Sequence, residues 1–456
     1  MFEGVTHIHF VGIGGIGVSA LAKYFFRCGA KVSGSDLQDS ELTNELKHMG
    51  MQIFSNHATN HVPSDTELLI YSPAVSASNV ERMEADIRGI QQLSYPEALG
   101  ELTKQYSTIA VCGTNGKSTT TAMLGLILTA AGLDPTVIVG AKVLGFSDGN
   151  LRMGKGKILV IEACEYRAHF LHLYPEMIVM TNIEADHLDY FRNVDHVREV
   201  FQQFVDQIGE KGLVVWNADD LQSRKLQIPH GIAYGFEKKA DFMGRDRRIV
   251  SGHQEFQMQK MDGKEELGTY ILRVLGSFNV MNAIAAATVA LKLGVSPEII
   301  RETLEKFSGI WRRFERVGVW KGADVVSDYG HHPTAIANTL TGVHEFFPNK
   351  RIVLCFQPHQ HARTQTLFTD FVQALSQADI LVIPEIYGVA GRTESEIVSS
   401  RDLVAEIKKL DPRKPVFYAK DLNEAESILR DLIEEGDLLL IQGAGDVDLL
   451  ARQFVR

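Results

Sequence analysis

Short apolar, β-branched runs alternate with helix-period stretches along nearly the whole chain. The first run, HIHFV, breaks into glycines and then into the amphipathic stretch VSALAKYFFRCGA. Buried parallel strands read as continuous apolar runs, and each needs a crossover, usually a helix, before its parallel partner. The alternation therefore predicts α/β architecture. The pattern restarts three times, at THIHFVGIGGIG, at STIAVCGTNGKS, and near VSDYGHHPT and RIVLCFQP. After the third restart come helix-like LFTDFVQALSQA, strand-like DILVIPEIY, helix-like RDLVAEIKKL, strand-like PVFYA, helix-like NEAESILRDLIEEG and strand-like DLLLIQGAG. Three restarts without a low-complexity linker predict three domains, spanning residues 1–106, 107–311 and 312–456.

Composition narrows this picture. A chain of 456 residues fits three domains of ordinary size, and 45% apolar content is enough for ordinary cores. No apolar run approaches the ~20 residues that span a bilayer. The start, MFEGVTHIHF, lacks a basic region followed by an apolar stretch and a cleavage site. A cytoplasmic protein without a membrane partner is expected. Cys28, Cys112, Cys164 and Cys355 show no Cys-x-x-Cys spacing, so neither a disulfide framework nor a zinc site is supported. The net charge of -11 argues against nucleic acid as a partner. Any anionic substrate must then be met by local cations and metal.

Residues 108–119, TIAVCGTNGKST, carry the strongest chemical signal. Gly113, Thr114, Asn115, Gly116, Lys117, Ser118 and Thr119 follow a buried-strand run and open the helical stretch TTTAMLGLILTAAG. Glycines let the backbone approach phosphate oxygens, and the helix start presents amides to an anion. Lys117 adds a charge and Ser118 a hydroxyl for Mg²⁺. The usual spacing has a glycine where Val111 stands. The segment reads as a nucleoside triphosphate loop.

Gly12, Gly14, Gly15 and Gly17 satisfy GxGxxG between a strand and a helix, and Asp36 follows the next strand, KVSGS, where an acidic group takes a ribose hydroxyl. The pattern serves a dinucleotide or any other pyrophosphate-bearing ligand, including a UDP-sugar. Further on, the strand KILVIEA reaches Glu162, and MIVMTNI runs into Glu184-Ala185-Asp186-His187-Leu188-Asp189. Ligands of parallel sheets gather outside the carboxyl ends of the strands, which would bring Ser118, Glu162 and His187 to one edge. Such a set could hold Mg²⁺ on the phosphates.

The segments GTNGKST, EACEYRAHFL, TNIEADHLD, GSFNVMNAIAA, WRRFE, SDYGHHPT and FQPHQHART resemble, in their order, those of the Mur ligases of peptidoglycan synthesis. They cover essentially the whole chain. The resemblance implies a Rossmann-like N-terminal domain for a UDP-sugar and a P-loop ATPase-like central domain for ATP and Mg²⁺. It also implies a Rossmann-like C-terminal domain that receives the amino acid and closes over the site. Lys117 would cradle the phosphates, Ser118 and Glu162 would bind one Mg²⁺, and Glu162 and His187 would share a second. Asn279 and Asn282 match positions that contact adenine, and Arg313 and Asp328 match positions that close the nucleotide site. Tyr329, His331, His359 and Arg363 would form the amino-acid pocket, Arg363 meeting a carboxylate with its guanidinium fork.

Within the family the resemblance is greatest to the branch that joins the lactyl carboxylate of UDP-N-acetylmuramate to L-alanine at the expense of ATP. The carboxylate would first be phosphorylated and the amine would then displace phosphate. The base that relieves the ammonium of its proton is His331, His332 or His359. Three positions depart from the branch: Gln360 replaces arginine, Phe278 replaces histidine and Ser118 replaces threonine. The rival within the family is the recycling ligase that adds L-alanyl-γ-D-glutamyl-meso-diaminopimelate, but FQPHQHART favours the single amino acid. A nicotinamide-dependent dehydrogenase accounts for Gly12–Gly17 and Asp36 alone, and leaves Lys117, Glu162 and His187 without a role. A monomer or homodimer is compatible with the sequence.

Overall fold

Strands His7–Val11 and Lys31–Ser35 lie side by side in parallel, and the helix Ile16–Arg27 between them returns the chain across the sheet. Period-2 alternation puts Ile8 and Phe10 on the face covered by this helix, where they join Val18, Leu21 and Phe25 in the core. The first sheet is parallel throughout, in the order Gln52–Phe54, Lys31–Ser35, His7–Val11, Leu68–Tyr71, Gln91–Ser94. Strand order reverses beside His7–Val11, so the glycine turn at residues 12–17 lies at the switch point where ligands of such sheets bind. This computed structural model describes residues 2, 4–187, 190–388 and 398–455.

The second sheet has a parallel centre in the order Leu213–Asn217, Met177–Met180, Ser107–Cys112, Ile158–Glu162, Thr136–Ile138. Its register pairs Met180 with Cys112 and Val111 with Glu162, bringing three carboxyl ends to one edge. The third sheet runs Glu315–Trp320, Ala323–Asp328, Leu438–Gln442, Ile352–Phe356, Ile380–Pro384, Val416–Ala419. It is parallel except for its first pair. The fold class is the α/β architecture that the alternation predicts.

Contacts divide the chain into two compact units. The first comprises Met1–Gly244, Met258–Gly268 and Met281–Leu304, and the second Arg245–Gln257, Thr269–Val280 and Glu305–Arg456. Within the first unit, a buried cation ties the N-terminal sheet layer to the central one. Lys23 is 1% exposed, and its Nζ donates to Asp148 O and Asn150 Oδ1 at 2.9 Å each and to Glu45 Oε2 at 3.1 Å. Arg27 grips both carboxylate oxygens of Asp148 at 3.0 and 2.5 Å. A charge removed from water is tolerated only when so surrounded. No helix among the described residues is long and apolar enough to cross a membrane.

Candidate active site

The expected triphosphate loop is shaped by its neighbours. Gly113 and Gly116 have φ of 134° and 85°, a region glycine enters without strain. A side chain at Gly113 would fall 2.0 Å from Thr181 Oγ1, and one at Gly116 would fall 2.3 Å from Asn282 Oδ1. Thr114 N donates to Asn182 O and Asn115 N to Asn182 Oδ1, each at 2.9 Å. Thr181 Oγ1 donates to Asn115 O at 2.6 Å. The helix Lys117–Ala130 then begins with Ser118 and Thr119 buried in its first turn. Its first amides have no intrahelical acceptor and suit an anion.

Lys117 Nζ donates to Gly113 O at 2.6 Å and Thr114 O at 3.0 Å. It also donates to Glu165 Oε1 at 3.1 Å, with Oε2 of that carboxylate 2.9 Å away. Burial works against the charge on Lys117, but Glu165 foremost, with Glu162 in support, more than offsets it and holds the ammonium above its ordinary range. Glu165 is 2% exposed and lies 3.9 Å from His187 Nε2. His187 has a φ of 53° and packs against the Tyr166 ring at 4.7 Å. Leu188 and Asp189 of the same motif lie outside the described residues.

Glu162 ends its strand with Oε2 accepting from Gly140 N at 2.8 Å. Burial, and after it the Glu162 charge, hold the nearby Tyr95 hydroxyl protonated far above the usual range. Tyr95 also closes on Gly17, where an added Cβ would come within 2.7 Å of its ring. Among the described residues, no three His, Cys, Asp or Glu side chains form a ready-made metal cage. The donors present, Ser118, Glu162, Glu165 and His187, fit Mg²⁺, which keeps several waters and takes phosphate oxygens beside one or two carboxylates.

At the first turn, Gly12 N and Ile13 N donate to Ser35 O at 2.8 and 3.0 Å, and Gly14 N donates to Asp36 Oδ2 at 2.8 Å. A Cβ at Gly14 would meet the same oxygen at 2.9 Å. Gly15 caps the helix Ile16–Arg27, whose first-turn amides face outward from the turn. Asp36 thus does backbone work that its spacing alone did not suggest.

In the second unit, Tyr329, His331 and His359 form a connected set. Tyr329 and His331 rings meet edge-on at 5.3 Å, and His331 and His359 lie 6.1 Å apart. Arg363 Nη1 stands 3.5 Å from His359 Nδ1. Tyr387 stacks on His359 at 5.5 Å, and Gln360, with φ 71°, donates its N–H to Tyr387 O. Both Arg312 and Arg313 lie over the Tyr329 ring, at 5.0 and 4.9 Å. Buried Asp328 accepts from Phe314 N, Gly330 N and Gln442 Nε2. His332 caps the helix Pro333–Phe346, its Nδ1 accepting from Thr334 N at 3.4 Å. Asn279 Nδ2 donates to Leu275 O in this unit, whereas Asn282 belongs to the first.

Sequence reasoning did not single out Glu165, Thr181, Asn182, Tyr95 or Tyr387. Glu165 had a signal, since it falls three residues after Glu162 within EACEYRAHFL, and Asn182 lies just past an apolar strand, after Thr181. Tyr387 had none, because its stacking partner is 28 positions earlier on another strand end.

Three family models match the chain: "Mur ligase family, catalytic domain" over residues 7–107, "Mur ligase middle domain" over 111–290 and "Mur ligase, glutamate ligase domain" over 312–445. The chain is 38% identical to a UDP-N-acetylmuramate–L-alanine ligase of Alkaliphilus metalliredigens, across 99% of this chain and 97% of that protein. It is also 38% identical to the enzyme of that name from Aquifex aeolicus, across 100% and 98%. A solved UDP-N-acetylmuramate-alanine ligase from Thermotoga maritima superposes with a TM-score of 0.86 at 31% identity, covering 98% of each chain. A murein peptide ligase from Psychrobacter arcticus shares the fold, with a TM-score of 0.74 at 23% identity, covering 99% of this chain and 98% of that one.

Proposed function

The chain belongs to the Mur ligase family, and from that premise we propose that it joins UDP-N-acetylmuramate to L-alanine at the expense of ATP, in the cytoplasm. The observation that carries this reading is Lys117, held charged by Glu165 inside a triphosphate loop, on the sheet edge that also bears Glu162. Relatives of that name, aligned end to end at 38% identity, favour it over the tripeptide-adding reaction. The three expected domains, 1–106, 107–311 and 312–456, would carry the sugar nucleotide, ATP and the amino acid, in a monomer or homodimer.

A carboxylate is a poor electrophile, so its oxygen first attacks the γ-phosphorus and ADP leaves, giving an acyl phosphate. Lys117 neutralises charge on the transferring group, while Thr181 and Asn182 fix the course of the loop through Thr114 and Asn115, and Asn282 packs against Gly116. Mg²⁺, when bound through Ser118, Glu162 and His187, supplies further charge neutralisation at the phosphates. Asn279 and Asn282 would contact adenine, and Arg313 and Asp328 would close the nucleotide site. The neutral amine then attacks the acyl carbon, and the tetrahedral intermediate expels phosphate to leave the amide. Arg363 would hold the alanine carboxylate, Tyr329 would wall the pocket, and His331 or His359 would take the proton from the ammonium.

ADP release with Mg-ATP and UDP-N-acetylmuramate tests the reading, comparing L-alanine, glycine, L-serine, the tripeptide and no amine. Release dependent on L-alanine is expected. Preference for the tripeptide would move the chain to the recycling reaction, and release indifferent to amine would end the ligase reading.

A further inference from the structure

On the face of the first sheet opposite the core helix Ile16–Arg27, beside the small apolar cluster of Val11, Leu69 and Ala85, buried polar groups form one continuous chain. His7 and His9 alternate onto this face from one strand, Ser33 and Ser35 from its neighbour, and Glu81 reaches it from the helix Val80–Ile87. His7, His9, Ser33, Ser35 and Glu81 are each no more than 1% exposed. Asp65 Oδ1 meets His7 Nδ1 at 2.9 Å, and His7 Nε2 meets Ser33 Oγ at 3.0 Å. Ser33 Oγ meets His9 Nδ1 at 2.8 Å, and His9 Nε2 meets Glu81 Oε2 at 3.2 Å.

Each of these four contacts needs one proton. Two neutral imidazoles and one hydroxyl bring three. An ionised carboxylate brings none, and both carboxylates are held ionised. The Lys31 ammonium and then His7 bring Asp65 down to about 2. Burial pushes Glu81 up, but hydrogen bonds from His9, Ser35 and Ala58 N bring it below its usual range. A neutral chain would therefore leave two acceptors facing each other in a dry site, which is costly. One added proton completes all four bonds in either of two ways, with the imidazolium on His9 or on His7 and the Ser33 hydroxyl turned accordingly. A second added proton would make both rings donors to Ser33 Oγ, leaving the hydroxyl hydrogen without an acceptor in the chain and adding a second buried charge. Either placement satisfies all four contacts, so the proton belongs to the pair.

Ser35 joins this chain to the glycine turn. Its Oγ donates to Glu81 Oε2 at 2.5 Å and accepts from His57 Nδ1 at 2.8 Å, while its carbonyl receives the amides of Gly12 and Ile13. We propose that Glu81 and His9 are positioning residues for the glycine turn, and that His7 and His9 share a single proton that keeps Ser35 and the turn in place. This deepens the reading in which that turn holds the sugar nucleotide. The charged and titratable groups around the pair are Asp65, Lys31, Glu67 and Glu81, with His57 and His61 at 3.8 and 3.5 Å from Glu81 Oε1. The proton is bound at low pH and leaves as pH rises, so the turn is firm on the acid side and loosens on the alkaline side.

The test uses the full chain without ligand, so it does not depend on the ligase reading. Imidazole ¹⁵N spectra of the histidine-labelled protein are followed from about pH 8.5 to about pH 5.5, the range in which imidazoles ordinarily titrate. Uptake of one proton by His7 and His9 together is expected. Two independent one-proton titrations, or two neutral rings throughout, would overturn the proposal. Amide exchange at Gly12 and Ile13, corrected for its intrinsic pH dependence, supplies the second readout. Protection should fall about tenfold, the equivalent of about 1.4 kcal/mol, when the pair loses its proton, and by a similar factor in Glu81→Gln at low pH. Ser33→Ala, which cuts the chain between the two rings, should abolish the pH step even if Glu81→Gln folds poorly. Protection that ignores both pH and Ser33→Ala would overturn the positioning role.

Discussion

Two glycine-rich turns in the first unit each carry a strand into a helix, yet their backbones are engaged in opposite ways. At residues 12–17, three successive amides are already taken by Ser35 O and the Asp36 carboxylate. The turn is held by an acceptor and an anion, and on the proposed reading a ligand would meet only the start of the following helix. At residues 113–118, two amides are taken by Asn182, and the loop also contains a lysine folded onto its own carbonyls and onto Glu165. On the proposed reading, the first turn would be an anchored rest for a diphosphate that does not react, and the second would hold a cation beside a phosphoryl group that does. Glycines are common to both turns, and the charge beside them would separate holding from transferring.

Breaking the cation should have the largest effect. Lys117→Ala is expected to lower kcat by about 10²–10³-fold, the usual cost of removing a preorganised charge from a developing anion. Glu162→Ala and His187→Ala should act similarly while raising the Mg²⁺ requirement, all read by ADP release. Turnover like that of the unmodified protein in any of the three would erase the contrast. The anion of the first turn should matter less. Asp36→Ala is expected to raise KM for UDP-N-acetylmuramate about tenfold, the worth of one hydrogen bond to a charged group, with a smaller change in kcat. A larger fall in kcat than rise in KM would mean that this turn, too, takes part in transfer.

The smallest effect sharpens the comparison most. Glu165→Gln leaves Lys117 half-paired in a buried place, so the ligand-free protein should melt a few degrees lower, in line with about 1 kcal/mol in a domain of this size. Saturating ATP should recover most of that difference, because phosphate replaces the missing carboxylate beside the ammonium. Equal losses with and without ATP would show that Glu165 serves packing rather than the cation.

The sheets were legible because buried parallel strands advertise themselves as apolar runs, and both turns because glycine, lysine and serine sit where a strand meets a helix. Partnerships were much less so. Asp36 was legible as an acidic residue after the second strand, but its bond to Gly14 depends on how closely residues 35 and 36 approach the turn. Glu165 pairs with Lys117 across 48 positions, and the chain leaves it through Arg167 and Ala168 in left-handed conformations that no local pattern announces. The polar chain on the first sheet was read simply as part of an apolar strand. Alternation puts His7 and His9 on one side of it, but nothing local announces the buried carboxylate of Glu81 opposite them.

Lys23 has a bearing on how the protein is made. Its helix belongs to the first hundred residues, but two of its three partners, Asp148 and Asn150, are synthesised more than a hundred residues later. In an N-terminal fragment ending near residue 106, Lys23 would keep only Glu45 of these three partners. On the ribosome, this layer can complete its native bonds only once the loop bearing Asn150 has emerged, so the first two layers should mature as one cooperative body rather than in sequence.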